Sequence, residues 1–273
     1  MIRVSVIIPT YKPGDYIKQC LASLVRQTYD KAHYEVVIVL NGCDEPYHGY
    51  LRKVVEDYQS ISFQIIQTNT SGVSNARNIG IEMCMFENVC FIDDDDWVTD
   101  NYLECLVEKM SSTNSITISN FKDFDEHSGE TRDGYLTKAY KSNMGSKENV
   151  TIMAAHRLFS SSCGKIIPKD IIGKTRFNTA FKNGEDALFM AQISKNIKSI
   201  YMSAPDAIYF RRLRSGSASR DIMTKRQIFR NALMQYRQYI SIYYSDYRAY
   251  SLPFFVNRLL AVTKRTLQLT FRS

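Results

Sequence analysis

Residues 89–97 read Val-Cys-Phe-Ile-Asp-Asp-Asp-Asp-Trp, four apolar residues that run without a break into four aspartates. A short, continuous apolar run is the pattern of a strand buried on both faces of a parallel sheet. The aspartates then fall at the strand's carboxyl end, where open α/β sheets bind their ligands. Four adjacent carboxylates repel one another and call for a compensating cation. Their hard oxygens suit magnesium, manganese or calcium. Charge alone leaves a solvated acidic turn open as the alternative.

The same alternation of strands and helices extends outward from this point. Residues 4–9 (VSVIIP), 35–40 (EVVIVL) and 63–67 predict three more strands, and 115–119 (SITIS) a fifth. Ile17, Cys20, Leu21 and Leu24 recur at helical spacing, as do Leu103, Leu106, Val107 and Met110. Residues 46–58, with proline near the start, and 73–85 predict two further helices. This order implies an α/β fold with a mostly parallel central sheet flanked by helices.

Beyond residue 120 the pattern weakens. Residues 121–140 are polar and read as a hairpin or loop. A helix is expected over 149–159, a strand over 165–167, a helix over 187–193, and strands over 199–202 and 207–210. From Ile222 two amphipathic helices follow, with a break expected near Pro253. The apolar stripe of the first is read as Phe229, Leu233, Tyr236, Ile240 and Tyr243, and that of the second as Phe255, Leu259, Leu260 and Leu267.

Composition is that of a folded domain: 44% hydrophobic and 23% charged residues leave no long disordered tract. The net charge of +7 is concentrated. From Ile222 onward nine basic residues face one acid, Asp246, so this tail carries essentially the whole excess. A basic tail fits an anionic partner, such as a membrane surface or a nucleic acid. Two helices that pack on the domain with solvated basic faces are the alternative. The six cysteines show no metal-ligand spacing and are read as reduced core thiols. No secretory leader and no membrane-spanning stretch is predicted.

Three other segments carry candidate chemistry. Residues 72–80 (GVSNARNIG) could place Arg77 near a helix start, where backbone N–H groups and guanidinium favour phosphate; a plain helix start with an exposed arginine is the alternative. Gly184-Glu185-Asp186 opens a helix, where acids are good dipole partners and a carboxylate can also serve as a general base. Residues 209–217 (YFRRLRSGS) form a basic segment after a strand, able to bind a diphosphate or to stay a solvated loop.

Taken in order, VSVIIPTYK, LASLVRQTY, EVVIVLNG, GVSNARNIGI, VCFIDDDDW, GEDALF and RSGS resemble the inverting family 2 glycosyltransferases of bacterial surface-polysaccharide type. The resemblance covers about residues 3–220. It implies the GT-A fold, with a nucleotide-binding half over about 1–120, an acceptor half over about 121–220, and 221–273 as a basic helical extension. It implies a nucleotide-sugar donor, UDP-linked by expectation, a manganese or magnesium cofactor, and a glycan or lipid-linked acceptor. The expected location is cytoplasmic, with peripheral attachment to an anionic membrane through 222–273 and no nucleic-acid partner.

The resemblance also implies residue roles. Pro9, Thr10 and Tyr11 look like the loop that cups the donor base and ribose, and Arg77 like the arginine that steadies the nucleotide. Asp93 and Asp95 look like the two acids of an Asp-x-Asp motif. Asp95 is expected on the metal, and Asp93 on ribose, metal or a metal-bound water. Asp94 belongs to the donor site and Asp96 supports it. Asp186 resembles the catalytic base, with Glu185 the second candidate. Arg214 and Ser217 are expected to reach the diphosphate. Lys165 alone carries over from an aromatic-Asn-Lys triplet. One departure stands out: where relatives commonly read Val-Asp-Asp-Gly-Ser, this chain reads Val39-Leu40-Asn41-Gly42-Cys43. Asn41 can still donate and accept at a base edge.

Two rival readings remain at this level. A nucleotidyltransferase would want a glycine- and lysine-rich triphosphate loop, which Pro9-Thr10-Tyr11-Lys12 is not. A non-catalytic module that binds a nucleotide sugar, a membrane or nucleic acid would not need the intact aspartate run together with Gly-Glu-Asp.

Overall fold

A computed structural model describes residues 1–144, 149–214 and 224–272. The chain opens with four strands, β1 (Val4–Thr10), β2 (Tyr34–Asn41), β3 (Ser62–Thr68) and β4 (Asn88–Phe91). β4, β1, β2 and β3 lie side by side and parallel. Every residue of β1, β2 and β4 is buried, as strands covered on both faces require. β3 forms the sheet edge and is only partly buried.

Three helices cross between these strands: α1 (Tyr16–Val25), α2 (Tyr47–Glu56) and α3 (Val73–Met83). α3 sits close on β1 because Gly80 has no side chain. A Cβ there would lie 2.3 Å from Ile7 Cγ2. The buried Glu35 in β2 is satisfied by the Ser5 hydroxyl at 2.5 Å and the Met85 N–H at 2.6 Å.

After the aspartates come β5 (Trp97–Val98), α4 (Tyr102–Glu108) and β6 (Ser115–Ile118). The chain then leaves the main sheet for a hairpin of β7 (Asn120–Asp125) and β8 (Thr131–Arg132), followed by α5 (Tyr135–Lys141). It returns as β9 (Lys165–Pro168), α6 (Lys169–Ile172), α7 (Glu185–Ile193), β10 (Ser199–Met202) and β11 (Ile208–Leu213). The seven-stranded sheet has the order β10-β6-β9-β4-β1-β2-β3. β9 alone runs antiparallel to its neighbours, β4 and β6. A second sheet, β5-β11-β7-β8, stands over the aspartate turn.

Two expectations differ from the structure here. The polar stretch 121–140 contains the expected hairpin, but it also holds α5, whose Gly134 N–H donates to Thr137 Oγ1 at 3.0 Å. Residues 149–159 form turns and a 3₁₀ turn (Leu158–Ser160), not a helix. The start of this segment is drawn to β10 instead: the Val150 N–H donates to Ile200 O at 2.9 Å, and the Asn149 side-chain Oδ1 accepts from the Ile200 N–H at 2.7 Å.

The chain ends in an antiparallel hairpin of α8 (Lys225–Ser245) and α9 (Leu252–Arg272). The break falls at 246–251. Pro253 lies in the first turn of α9, where a missing N–H is harmless. The face of α8 turned inward is Ile228, Ala232, Gln235, Tyr239 and Ile242, not the Phe229–Leu233–Ile240 stripe the sequence favours. Gln235 Nε2 donates to Asn183 O at 3.2 Å, and Phe254 meets Phe159 edge-on at 5.6 Å. The hairpin therefore packs on the body just ahead of α7. Among the described residues no helix is long and apolar enough to cross a membrane.

Candidate active site

The site is assembled where β4 ends. β4 releases Asp93–Asp96 into a turn closed by the Asp96 N–H donating to Asp93 O at 3.1 Å. Asp96 points inward and is fixed from β11: Tyr209 Oη donates to its Oδ2 at 2.6 Å, and the Arg212 N–H to its Oδ1 at 2.7 Å. The same Tyr209 oxygen accepts from the Asp93 N–H at 3.1 Å. Burial pushes the Asp96 carboxyl well above the usual carboxylate range, with Asp95 and Asp93 adding to the shift. Asp96 therefore supports the turn from below.

The other three aspartates face different partners. Asp93 Oδ1 accepts from Arg77 Nη2 at 2.8 Å. Asp94 Oδ2 accepts from the Thr10 hydroxyl at 2.5 Å, and burial pushes Asp94 up to about 7. Asp95 Oδ2 accepts from Arg214 Nε at 2.6 Å. Burial and then Asp93 raise the Asp95 carboxyl, against Arg214.

Arg77 comes from α3 and is only 3% exposed. Its other terminal nitrogen, Nη1, donates to Asp186 Oδ1 at 2.7 Å and lies 3.6 Å from Glu185 Oε1. Burial works to discharge this guanidinium, but Asp186 and Asp93 outweigh it and hold the charge. Glu185 and Asp186 open α7, whose N-cap Gly184 has φ +88°, a conformation that favours glycine. Ser162 Oγ also donates to Asp186 Oδ1, at 3.0 Å. Among the described residues Asp186 Oδ2 accepts no hydrogen bond. Burial, then the Asp186 charge, pushes Glu185 up to about 7.

The remaining candidates lie around this centre. Pro9 and Thr10 are buried at the end of β1, while Tyr11 is 49% exposed. Asn41, ending β2, clamps two loops: its Nδ2 donates to Thr10 O at 2.7 Å and its Oδ1 accepts from the Gly72 N–H at 2.8 Å. Lys165 is fully buried at the start of β9. Its ammonium is spent on Ser161 O at 2.8 Å and Cys163 O at 3.0 Å. Burial pulls Lys165 down to about 8. Arg214 follows β11 with its guanidinium 4.5 Å from the centre of the Tyr16 ring. Ser217 lies outside the described residues.

Three groups emerge: Arg77 with Asp93, Asp186 and Glu185; Asp95 with Arg214; and Asp94 with Thr10 and Asn41. Two contributors had escaped sequence reasoning, Ser162 and Tyr16; Tyr209 and Arg212 fall in the basic segment 209–217, but their hold on the aspartate turn was not foreseen. Tyr209 and Arg212 reach the turn through long-range pairing of β11, which no local pattern announces. Arg212 Nε also donates to Asp95 O at 2.8 Å.

The donor set fits a divalent cation. Burial first, and the neighbouring carboxylates after it, push Asp94, Asp95 and Asp96 toward protonation, and a divalent cation at the turn would offset that mutual repulsion. Asp95 and Asp93 offer hard oxygens of the kind that hold magnesium or manganese together with substrate phosphates. A separate group, Asp44, Glu45 and His48, converges near the exposed start of α2. Glu45 Oε2 there accepts the Gly49 N–H at 3.1 Å, as a helix-start acid does.

The chain is similar to known proteins in sequence and in fold. The sequence profile described as Glycosyl transferase family 2 matches residues 5–175. The chain is 29% identical over 227 residues to the glycosyltransferase GlyA of Streptococcus pneumoniae serotype 4, covering 80% of this chain and 32% of GlyA. It is 27% identical over 213 residues to the poly(ribitol-phosphate) β-N-acetylglucosaminyltransferase TarP of Staphylococcus aureus, covering 77% of this chain and 62% of TarP. The chain thus spans less than two thirds of either relative. Its fold is similar to that of S. aureus TarS 1–349 in complex with UDP-GlcNAc, with TM-score 0.70, 21% identity, and 88% of this chain and 67% of that one covered. It is also similar to the mannosyltransferase PcManGT of Pyrobaculum calidifontis in complex with GDP-Man and Mn2+, with TM-score 0.67, 15% identity, and coverage of 97% and 69%.

Proposed function

The chain belongs to glycosyl transferase family 2, and on that premise we propose that it moves a hexose from a nucleotide-sugar donor to a hydroxyl of a glycan or lipid-linked acceptor, with inversion, in surface-polysaccharide synthesis. The observation that carries the reading is the buried Arg77 bridge, 2.8 Å to Asp93 and 2.7 Å to Asp186. It holds the end of a donor-side aspartate run against a second carboxylate on α7, the juxtaposition a single displacement needs. A UDP-linked donor is supported by the UDP-GlcNAc in the TarS structure and the acetylglucosaminyl transfer in TarP's name.

In this reading Thr10 and the exposed Tyr11 shape the nucleotide pocket, and the buried Asn41, its amide committed to Thr10 O and the Gly72 N–H, fixes the loops that frame it instead of reading a base edge. Asp95 and Asp93 would hold manganese or magnesium. When bound, such a cation offsets the charge that grows on the departing diphosphate. Arg214 lies beside Asp95 and adds a cationic group on that side. Asp186 takes the acceptor proton on Oδ2 while Arg77 and Ser162 steady Oδ1. Residues 1–220 form the catalytic domain, with the donor half near 1–120 and the acceptor half near 121–220, and 221–273 is an appended hairpin. Six free thiols fit a reducing compartment, so we place the enzyme in the cytoplasm, peripheral on the inner face of the cell membrane.

A donor panel tests the proposal. UDP-, GDP- and dTDP-linked sugars are titrated with and without manganese, reading binding and slow hydrolysis. Manganese-dependent binding of one nucleotide class is expected. Binding of none would remove the function.

A further inference from the structure

Ten of the sixteen large hydrophobic side chains exposed among the described residues lie on α8, α9 and the turn between them. On α8 they are Phe229, Leu233, Ile240 and Tyr244, spaced four, seven and four apart and so on one stripe. On α9, Leu252, Val256, Leu260 and Leu267 repeat the device. The inward faces are different residues, Ile228, Ala232, Tyr239 and Ile242 on α8, and Phe254, Phe255 and Val262 on α9. Tyr236 ties the helices together, its hydroxyl bonded to Thr263 Oγ1. The hairpin is thus apolar on two faces, one against the body and one against solvent. A surface helix of an isolated domain should be polar on the second.

The charges around the outer stripe identify what covers it. Arg226, Arg230 and Arg237 are exposed, each three positions before Phe229, Leu233 and Ile240, and exposed Lys264 precedes Leu267 by the same step. Residues three apart are neighbours on a helix, so each cation flanks an apolar group. The lone acid, Asp246, is paired with Lys195 at 3.2 Å. Apolar side chains edged by snorkelling cations are the pattern of a helix lying at a lipid interface. A second copy docking face to face would oppose like charges.

We propose that the outer face of the α8–α9 hairpin docks on an anionic lipid bilayer, with its apolar stripes at the headgroup–acyl boundary and Arg226, Arg230, Arg237 and Lys264 on lipid phosphates. This deepens the peripheral location proposed above, and lipid binding is read independently of sugar transfer. The docked hairpin sits directly behind the candidate base: Gln235 bonds Asn183, and a Cβ on Gly184 would lie 2.9 Å from Gln235 Nε2. An acceptor held in the bilayer would then be close to α7.

The test is flotation of the full chain with phosphatidylcholine vesicles, with and without phosphatidylglycerol. Two variants accompany it, Phe229→Ser/Leu233→Ser/Leu260→Ser and Arg230→Gln/Arg237→Gln/Lys264→Gln. The unmodified chain is expected to float only with phosphatidylglycerol. Each variant should lose about tenfold or more in vesicle affinity, while donor hydrolysis is retained. If the apolar variant fails to fold, Leu233→Gln alone is used, with an expected loss of about threefold. Absence of flotation with phosphatidylglycerol overturns the proposal. So does equal flotation of both variants, and so does a dimer that the apolar variant dissociates without any vesicle binding.

Discussion

Arg77 Nη1 donates to Asp186 Oδ1 at 2.7 Å from a side chain that is almost wholly buried. The same guanidinium reaches Asp93, so α3 sets the spacing between the aspartate turn and α7. Its Nε is buried with no hydrogen-bond partner among the described residues.

Removing that cation leaves the largely buried Asp186 and Glu185 beside the partly exposed Asp93 without their shared counter-charge. Arg77→Met is expected to destabilise the fold by about 3–5 kcal/mol, the cost of breaking a buried pair. Arg77→Lys keeps the charge but cannot span both acids, and should fall between. Urea denaturation measures both. A loss below about 1 kcal/mol for Arg77→Met would show that the bridge is not structural.

Asp186→Asn keeps the shape but removes the proton acceptor. Transfer should drop about a thousandfold, with donor affinity little changed. Glu185→Gln should cost far less. Initial rates and donor titration separate the two effects, and full transfer by Asp186→Asn would reassign the base.

Asp95→Ala removes a candidate metal oxygen and the partner of Arg214. Manganese-stimulated donor binding should fall by about tenfold or more. Calorimetry with and without chelator reads it. If chelation leaves the unmodified chain's donor affinity unchanged, the metal assignment fails.

Lys165 gives a pH signature in stability. Burial pulls it from 10.5 to about 8 in the folded chain. Below about 8 both states are protonated, and the folded state bears the whole cost of the buried cation. Between about 8 and 10.5 the unfolded chain holds the extra proton, so stability rises with pH. Relative to Lys165→Met, the unmodified chain should gain on the order of 3 kcal/mol across that window. Unfolding of both forms near neutrality and near pH 10.5 measures it, and a flat or falling difference would contradict the shift.

Gly80→Ala places a methyl 2.3 Å from Ile7 Cγ2. Overpacking of this kind costs about 1–3 kcal/mol, and trimming the neighbour with Ile7→Val should recover part of it. Thermal unfolding of the single and double variants decides. Simple additivity would place the strain elsewhere.

The buried strands were legible because β1, β2 and β4 are covered on both sides and so read as unbroken apolar runs. β5 was not, since two residues carry no period. β7 read as polar because one face of the small sheet holds Asp123 against Arg211, at 3.0 and 2.9 Å. The 149–159 segment has apolar residues at helical intervals, yet its start is tied to β10, remote in sequence, through the Val150 N–H and the Asn149 side chain, and the rest folds into local turns. On α8 two stripes compete, and the sequence favours the one rich in Phe, Leu and Ile. The body instead takes Ala232 and Gln235, because a small residue allows close approach and an amide can satisfy Asn183. At the site, the aspartates and Gly-Glu-Asp were readable from charge and position. Ser162 leaves no local mark, and although 209–217 stood out as basic, the hold of Tyr209 and Arg212 on the turn depends on tertiary pairing.

The antiparallel β9 has a consequence for how the molecule is made. β4 and β6 are never neighbours; a strand synthesised some fifty residues later must slide between them. Until the ribosome has released residues 165–168, β4 keeps an unpaired backbone edge and β6 has no route into the main sheet. Long-range insertion of this kind is slow and leaves sticky edges exposed. The aspartate turn depends on a later segment still, since the Tyr209 and Arg212 contacts that fix Asp96 come from β11.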